Sequence, residues 1–310
     1  MLRGAAVLFV IAGFSLVLAG CGGSSRSVGQ GPSFQEQVAR AQQEPAADVR
    51  AKKLVKIGYG QAKAADIFGA EETMKLAAKA CEKVSDPAAR CGAYIYMADA
   101  QRQLNNASEA RSALRCALTT VEQIADPESK ASTLARVARV QAAAGDTDAA
   151  VESLTAAEKL AGQLDDLHGK ALVLGGVAAS YEKLGRPQQT ERLIREALGT
   201  ARSIENRRSR CEAIAAIANR LQAMGRTEPA LKTFEMAAAA AGGIENPNSR
   251  AHAMADLAEE LYKANHLDKA HELLDKAEQT AQKIDAADMQ KQAIQKIDEL
   301  RFKMPKPSED

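Results

Sequence analysis

Beyond residue 46 the apolar side chains recur at three-to-four spacing, as in Ala110, Leu114, Ala117 and Val121, which marks one buried helical face. The pattern then repeats without a gap at a period of 40 residues. One register holds Val84, Ile124, Leu164, Ile204, Ile244 and Ile284. A second is small throughout (Gly58, Ala98, Ala138, Ala178, Ala218, Ala258), and a third is alanine in every unit from Ala77 to Ala277. Met74, Leu114, Leu154, Ile194, Phe234 and Leu274 form a large apolar row between them. Each unit predicts two helices. The first opens at a cap followed by proline, as in Asp86-Pro87, Asp126-Pro127 and Asn246-Pro247. It closes at Asn105, Gly145, Gly185, Gly225 or Asn265, residue types that tolerate the left-handed backbone beyond a helix end. The second helix is predicted to run about eighteen residues to the Ile register, with small rows meeting so that the hairpin closes tightly. No strand pattern of useful length interrupts this. The chain therefore reads as an all-α solenoid of six helix-turn-helix repeats over 46–285, then a capping helix over 286–304 and a disordered tail over 305–310. Asp298, where earlier units have Gly or Ala, suits a face that stacks on nothing.

The first residues follow another rule. Arg3 precedes Ala5 to Gly20, a stretch whose only polar residue is Ser15. It is too short for a transmembrane helix of about 18 apolar residues or more, and reads as the apolar region of an export signal. It ends in Leu18-Ala19-Gly20-Cys21, which closely resembles the lipobox of bacterial lipoproteins. The resemblance implies a signal peptide over 1–20, a diacylglyceryl group on the Cys21 thiol, and acylation of the new amine. Two or three acyl chains hold a protein on a bilayer, where one is marginal. Gly22 and Gly23 follow where an aspartate does not, which in a Gram-negative cell implies the outer membrane, facing the periplasm. The plainer alternative is an ordinary signal peptide with an incidental cysteine. Residues 21–45, rich in Gly, Ser and Gln with Pro32 and Pro45, read as a flexible tether. Within it Ser33-Phe34-Gln35-Glu36 has the form of a capping box, so a short helix over 34–43 is expected to be marginal by itself.

The turn Ala144-Gly145-Asp146-Thr147-Asp148-Ala149-Ala150, with Ala150, Leu154 and Ala157 after it, resembles the tetratricopeptide repeat family. The repeat is 40 residues and not the roughly 34 of that family, and the extra length is assigned to the second helix. The resemblance implies a concave wall lined by the first helices, with Tyr59, Asp99, Arg139, Asn219 and Glu259 along it and Arg102, Glu182 and Tyr262 beside them. Family members that grip a terminal carboxylate carry Lys and Asn on that wall; here one such position holds Ile95, Ala135, Gly175, Ala215 and Ala255, so that clamp is missing. The groove reads as mixed in sign.

Charge and chemistry narrow the function. With 41 basic and 40 acidic residues the formal charge is +1, which gives no field for nucleic acid. Cys81 and Cys91 flank the Ser85-Asp86-Pro87 turn and are a candidate disulfide, with Cys116 a rival partner; alternatively cysteine fills small positions, as the alignment of Cys91 and Cys211 with Ala131, Ala171 and Ala251 favours. The four histidines lack metal-site spacing, and no nucleophile elbow or phosphate loop is present, so no catalytic residue, metal or cofactor is assigned. The row Arg50, Arg90, Lys130, Lys170, Arg210 and Arg250 could bind an anion, but its place in the first turn of each first helix favours bonding to the end of the preceding second helix. Gly175-Gly176 fall inside a predicted first helix, either weakening it or permitting a close contact. The expectation is a lipid-anchored envelope scaffold, not an enzyme, that binds an envelope protein or peptide. The competing reading is a carbohydrate- or lipid-handling protein using Asp99, Glu182 or Glu259 in the groove.

Overall fold

The structure, a computed structural model, describes residues 32–305, and every element in it is a helix. In chain order these are α1 (Phe34–Gln42), α2 (Ala47–Lys63), α3 (Ile67–Glu82), α4 (Pro87–Gln103), α5 (Ala107–Val121), α6 (Pro127–Ala143) and α7 (Thr147–Gly162). They continue as α8 (Leu167–Lys183), α9 (Pro187–Arg202), α10 (Arg207–Ala223), α11 (Thr227–Gly242), α12 (Pro247–Lys263), α13 (Leu267–Ala281) and α14 (Ala287–Lys303). Helices α2 to α13 pair as six hairpins stacked into an α-solenoid, and α14 caps the last one. Cys21 and the lipobox residues Leu18, Ala19 and Gly20 lie outside the described residues, as do 306–310.

Local chemistry sets the hairpin ends. The side chains of Asp86, Asp126 and Asn246 accept from the backbone N–H three residues on at 2.7, 2.8 and 2.9 Å, and the prolines behind them have no N–H to leave unpaired. Each first helix stops where one residue turns left-handed: Asn105, Gly145, Gly185, Gly225 and Asn265, and in the first hairpin Ala65 at φ 64°. The next N–H then reaches back to a first-helix carbonyl, Asp146 to Gln141 at 3.0 Å for example. Buried glutamines lock three of these turns: Gln61 donates to Asp66, Asn106 donates to Gln101 and Ser153 donates to Gln141, at 2.9, 2.9 and 2.8 Å.

The small rows are the hairpin seam. Ala98, Ala178, Ala218 and Ala258, facing Ala117, Ala197, Ala237 and Ala277, have no exposed surface, so the helix axes approach closely. A Cβ on Gly58 would lie 3.2 Å from Met74, whose bulk fills the space that Leu or Ile occupies in later hairpins. One expectation is corrected here. Second helices span 15 or 16 residues, not about eighteen, while every first helix of a hairpin spans 17. The difference arises because the last residues before the Ile register leave the helix. Ile204, for instance, donates to Ala201 and packs its side chain into the core from the turn, where the next cap needs extended backbone. The short helix expected over 34–43 is present as α1, inside the stretch read as a tether. Its capping box is closed by Ser33 and Glu36, and Val38 and Ala41 pack on the core, which supplies what a nine-residue helix lacks alone.

Each first helix packs on the next first helix, whereas each second helix packs mainly on the two first helices flanking it and meets the next second helix through long side chains such as Arg192 on Glu158 at 2.8 Å. The stack therefore bends with the first helices inside. Wedges open between second helices on the outside, such as a concavity of about 590 Å³ between α3 and α5 over Tyr94 and Met97, and one of about 330 Å³ between α11 and α13.

Candidate functional site

Along the inner wall the residues anticipated from the repeat differ in what they do. Asp99 holds Arg102 through two bonds of 3.1 and 2.9 Å and accepts from Gln103 at 2.9 Å. The Tyr59 hydroxyl donates to Gln103 at 3.2 Å, and that of Tyr262 to the Lys303 carbonyl at 3.4 Å. Glu182 turns to the edge of the wall, where both its oxygens accept from Arg226 at 2.9 Å while Glu191 takes a third bond from the same guanidinium. The Arg226 hydrogen bonds hold the Glu182 carboxyl below the usual carboxylate range. These residues are engaged with one another.

Two inner cavities remain open. The first, of about 390 Å³, lies between α10 and α12 and is lined by Glu212, Asn219, Asp256, Glu259 and Glu260. Its carboxylates are compensated. Glu212 and Asp256 meet Arg208 at 3.0 and 3.4 Å, Asp256 also meets Lys296, and Glu259 and Glu260 share Lys263 at 3.1 and 3.0 Å. Asn219 donates to Glu260 at 2.7 Å.

The second cavity, of about 350 Å³, lies between α6 and α8 over a floor of Ala135, Val173, Gly176 and Ala179. Four cations line it: Arg136 and Arg139 from α6, Lys183 from α8, and Arg220 reaching back from α10. None is paired with a carboxylate among the described residues. Arg220 is half-buried, its Nη1 donates to Ala216 of its own helix at 3.2 Å, and burial pushes its pKa down. The single acidic lining residue, Glu128, is turned against Gly169 at the start of α8, where a Cβ would lie 2.3 Å from its carboxylate.

Glycines lie under two of these arginines. A Cβ on Gly175 would come within 3.3 Å of Arg220 Cδ, and one on Gly176 within 3.9 Å of its Nε, so the arginine lies across a helix stripped of side chains. Arg136 lies over Gly92 of α4 in the same way, at 3.6 Å. Gly175 therefore permits a close contact, and α8 runs through both glycines unbroken. Of the anticipated residues, Arg139 belongs to this cavity, and Asn219 and Glu259 to the other; Arg136, Lys183 and Arg220 were not anticipated.

The remaining candidates sit elsewhere. The Cys81–Cys91 bond is not formed: both thiols are free and buried, with the Cys91 Sγ turned to the Ala117 carbonyl at 3.3 Å across its own hairpin. Burial pushes Cys81, Cys91 and Cys211 up to about 12, so these thiols are poor nucleophiles. In the basic row, Lys170 reaches the Gly162 carbonyl at 3.5 Å and Arg210 the Ile204 carbonyl at 2.7 Å, while Lys130 pairs with Glu122 at 2.8 Å. Arg90 instead bonds Gln123 at the far end of its own hairpin. His266 stacks edge-on against Phe234 and His271 meets the Pro305 carbonyl at 2.9 Å. Among the described residues no group of three or more His, Cys, Asp or Glu side chains could hold a metal ion, and no helix is long and apolar enough to cross a membrane.

No family model matches the chain, and no curated protein matches it. Among solved structures it is similar to Ton1535 from Thermococcus onnurineus NA1, at 15% identity over 85% of this chain and 94% of that one, with a TM-score of 0.40. It is similar to BtubC (BKLC) from P. vanneervenii at 18% identity, over 81% and 91% of the two chains, with a TM-score of 0.40. A Rap protein complexed with Competence and Sporulation Factor gives 13% identity, 87% and 84% coverage and a TM-score of 0.36.

Proposed function

We propose that the chain is a lipid-anchored scaffold of a bacterial envelope that holds a protein partner against the inner wall of its solenoid. One observation carries the reading: seven first helices, α2 to α14, stand side by side as one wall with two cavities open along it. Such a wall offers shape and polar contacts over many residues, which suits an extended segment of another protein. The anchor rests on Leu18-Ala19-Gly20-Cys21 and the apolar run before it. In this reading the scaffold is held at the periplasmic side of the outer membrane if the cell is Gram-negative, and it performs no chemistry. Asp99, Glu182 and Glu259, the carboxylates a groove enzyme would use, are each engaged with a cation, and Arg226 keeps Glu182 from protonating in the range where a general acid works.

The test has two arms. Metabolic labelling with an alkyne analogue of palmitate should mark the wild type and not Cys21→Ala, and an unlabelled wild type would remove the anchor. Crosslinking in cells, compared between the lipidated chain and a Cys21→Ala form exported by another signal, should capture one dominant envelope protein. Empty captures from both forms would sink the scaffold reading.

A further inference from the structure

We propose that the cavity between α6 and α8 is a docking site for an acidic segment of the partner, whose carboxylates pair with Arg136, Arg139, Lys183 and Arg220. This rests on the scaffold reading and gives it a chemistry. In the α10–α12 cavity every lining carboxylate is matched by a cation. The α6–α8 cavity differs: four cations line about 350 Å³ beside a single carboxylate, Glu128, and none of the four pairs with it. Arg220 sharpens the point, because a half-buried guanidinium already stripped of part of its water gains most from an incoming carboxylate.

The site is also built. Gly175 leaves room for Arg220, whose Cδ would lie 3.3 Å from a Cβ there, and Gly176 and Gly92 sit beneath Arg220 and Arg136 at ordinary contact distance. A helix ordinarily loses about 1 kcal/mol per glycine relative to alanine, so consecutive glycines in the middle of α8 carry a cost that the Arg220 contact explains. The geometry favours an acidic peptide over other anions. No aromatic side chain lines the cavity to stack a base, as single-stranded nucleic acid requires. The cavity faces the inside of the bend, away from any flat bilayer. Its small-residue floor leaves room for an extended backbone, and an unpaired cationic wall would speed the encounter with an acidic one.

The test uses the full lipidated chain in detergent and the fluorescence anisotropy of a labelled peptide of alternating Glu and Ser. A peptide with Gln for Glu is the control. The acidic peptide should bind, the control should not, and Arg136→Gln/Arg139→Gln/Lys183→Gln should weaken binding at least about tenfold. Gly175→Leu keeps every charge but displaces Arg220, and should also weaken binding while circular dichroism shows the helices intact. Equal binding of the control, or undiminished binding by the triple variant, would overturn the proposal. So would vesicles of phosphatidylglycerol that outcompete the peptide through the same residues, or self-association that the triple variant abolishes. In cells, a partner still captured by the triple variant would leave the scaffold and remove this site. Peptide binding with no partner captured would do the reverse.

Discussion

The two inner cavities are built from the same registers of the same repeat, yet they differ in electrostatic kind. Between α10 and α12 every lining carboxylate has a cation, so that stretch of wall is complete as it stands. Between α6 and α8 four cations converge and none is paired, Glu128 being the single carboxylate there. The solenoid thus uses one backbone plan for two purposes, and the difference lies in a few side chains: Gly176 where the other cavity has Asp256 two repeats on, and Arg220 lying across the glycines. A wall that looks mixed in sign when averaged is segregated in space.

The largest effect that could break this comparison is structural. Phe234 is 1% exposed and occupies the position that Leu or Ile fills in the neighbouring hairpins. Phe234→Ala should cost about 3–5 kcal/mol in denaturant unfolding. Contacts in a solenoid run between neighbours, so acidic-peptide binding at α6–α8 should change by less than about twofold under native conditions. A large loss of binding would show that the two regions are not separable.

A smaller effect sharpens the role of the groove-edge ion pair. Glu182, held below the usual carboxylate range by Arg226, stabilises the fold above that range and loses its contribution as pH falls through its folded value. At pH 7 Glu182→Gln should be less stable by about 1 kcal/mol, and the gap should close as pH drops below about 4. A gap that persists at low pH would contradict the assignment.

Gly175→Ala separates stability from binding. The helix should gain about 0.5–1 kcal/mol, seen as a higher Tm, while the displaced Arg220 lowers affinity for the acidic peptide. A rise in both would mean that the glycine serves no contact.

Asp256→Asn is the mildest change. Its ion pairs are exposed, so stability should fall by no more than about 0.5 kcal/mol, but Arg208 and Lys296 lose their shared carboxylate and acidic-peptide uptake should rise. Unchanged uptake would mean that charge balance is not what separates the cavities.

Most of the fold was legible because it depends on residues compared within a register. The Ala98 and Ala117 rows, the Leu154 row and the left-handed Asn105, Gly145 and Gly185 each report a local requirement that returns in every unit. The site was not legible in that way. Arg136 meets Gly92, and Arg220 meets Gly176, across neighbouring helices and one turn along, so a register comparison sets Arg136 beside Gly176 and Asp256 and reads only disagreement. Gly175-Gly176 was the available signal, and it needed the packing of α10 on α8 to name its partner. The helix at 34–42 was legible in its capping box, but what steadies it was not, since a short helix depends on the helix it lies on.

The most direct test of the central claim is photo-crosslinking in cells from a photoreactive amino acid placed in turn at Ala179, in the basic cavity, and at Ala216, in the acidic one. The account predicts that Ala179 captures an envelope protein, that Ala216 captures it weakly or not at all, and that Arg136→Gln/Arg139→Gln/Lys183→Gln abolishes the capture. Equal capture from both positions, indifferent to that variant, would contradict it.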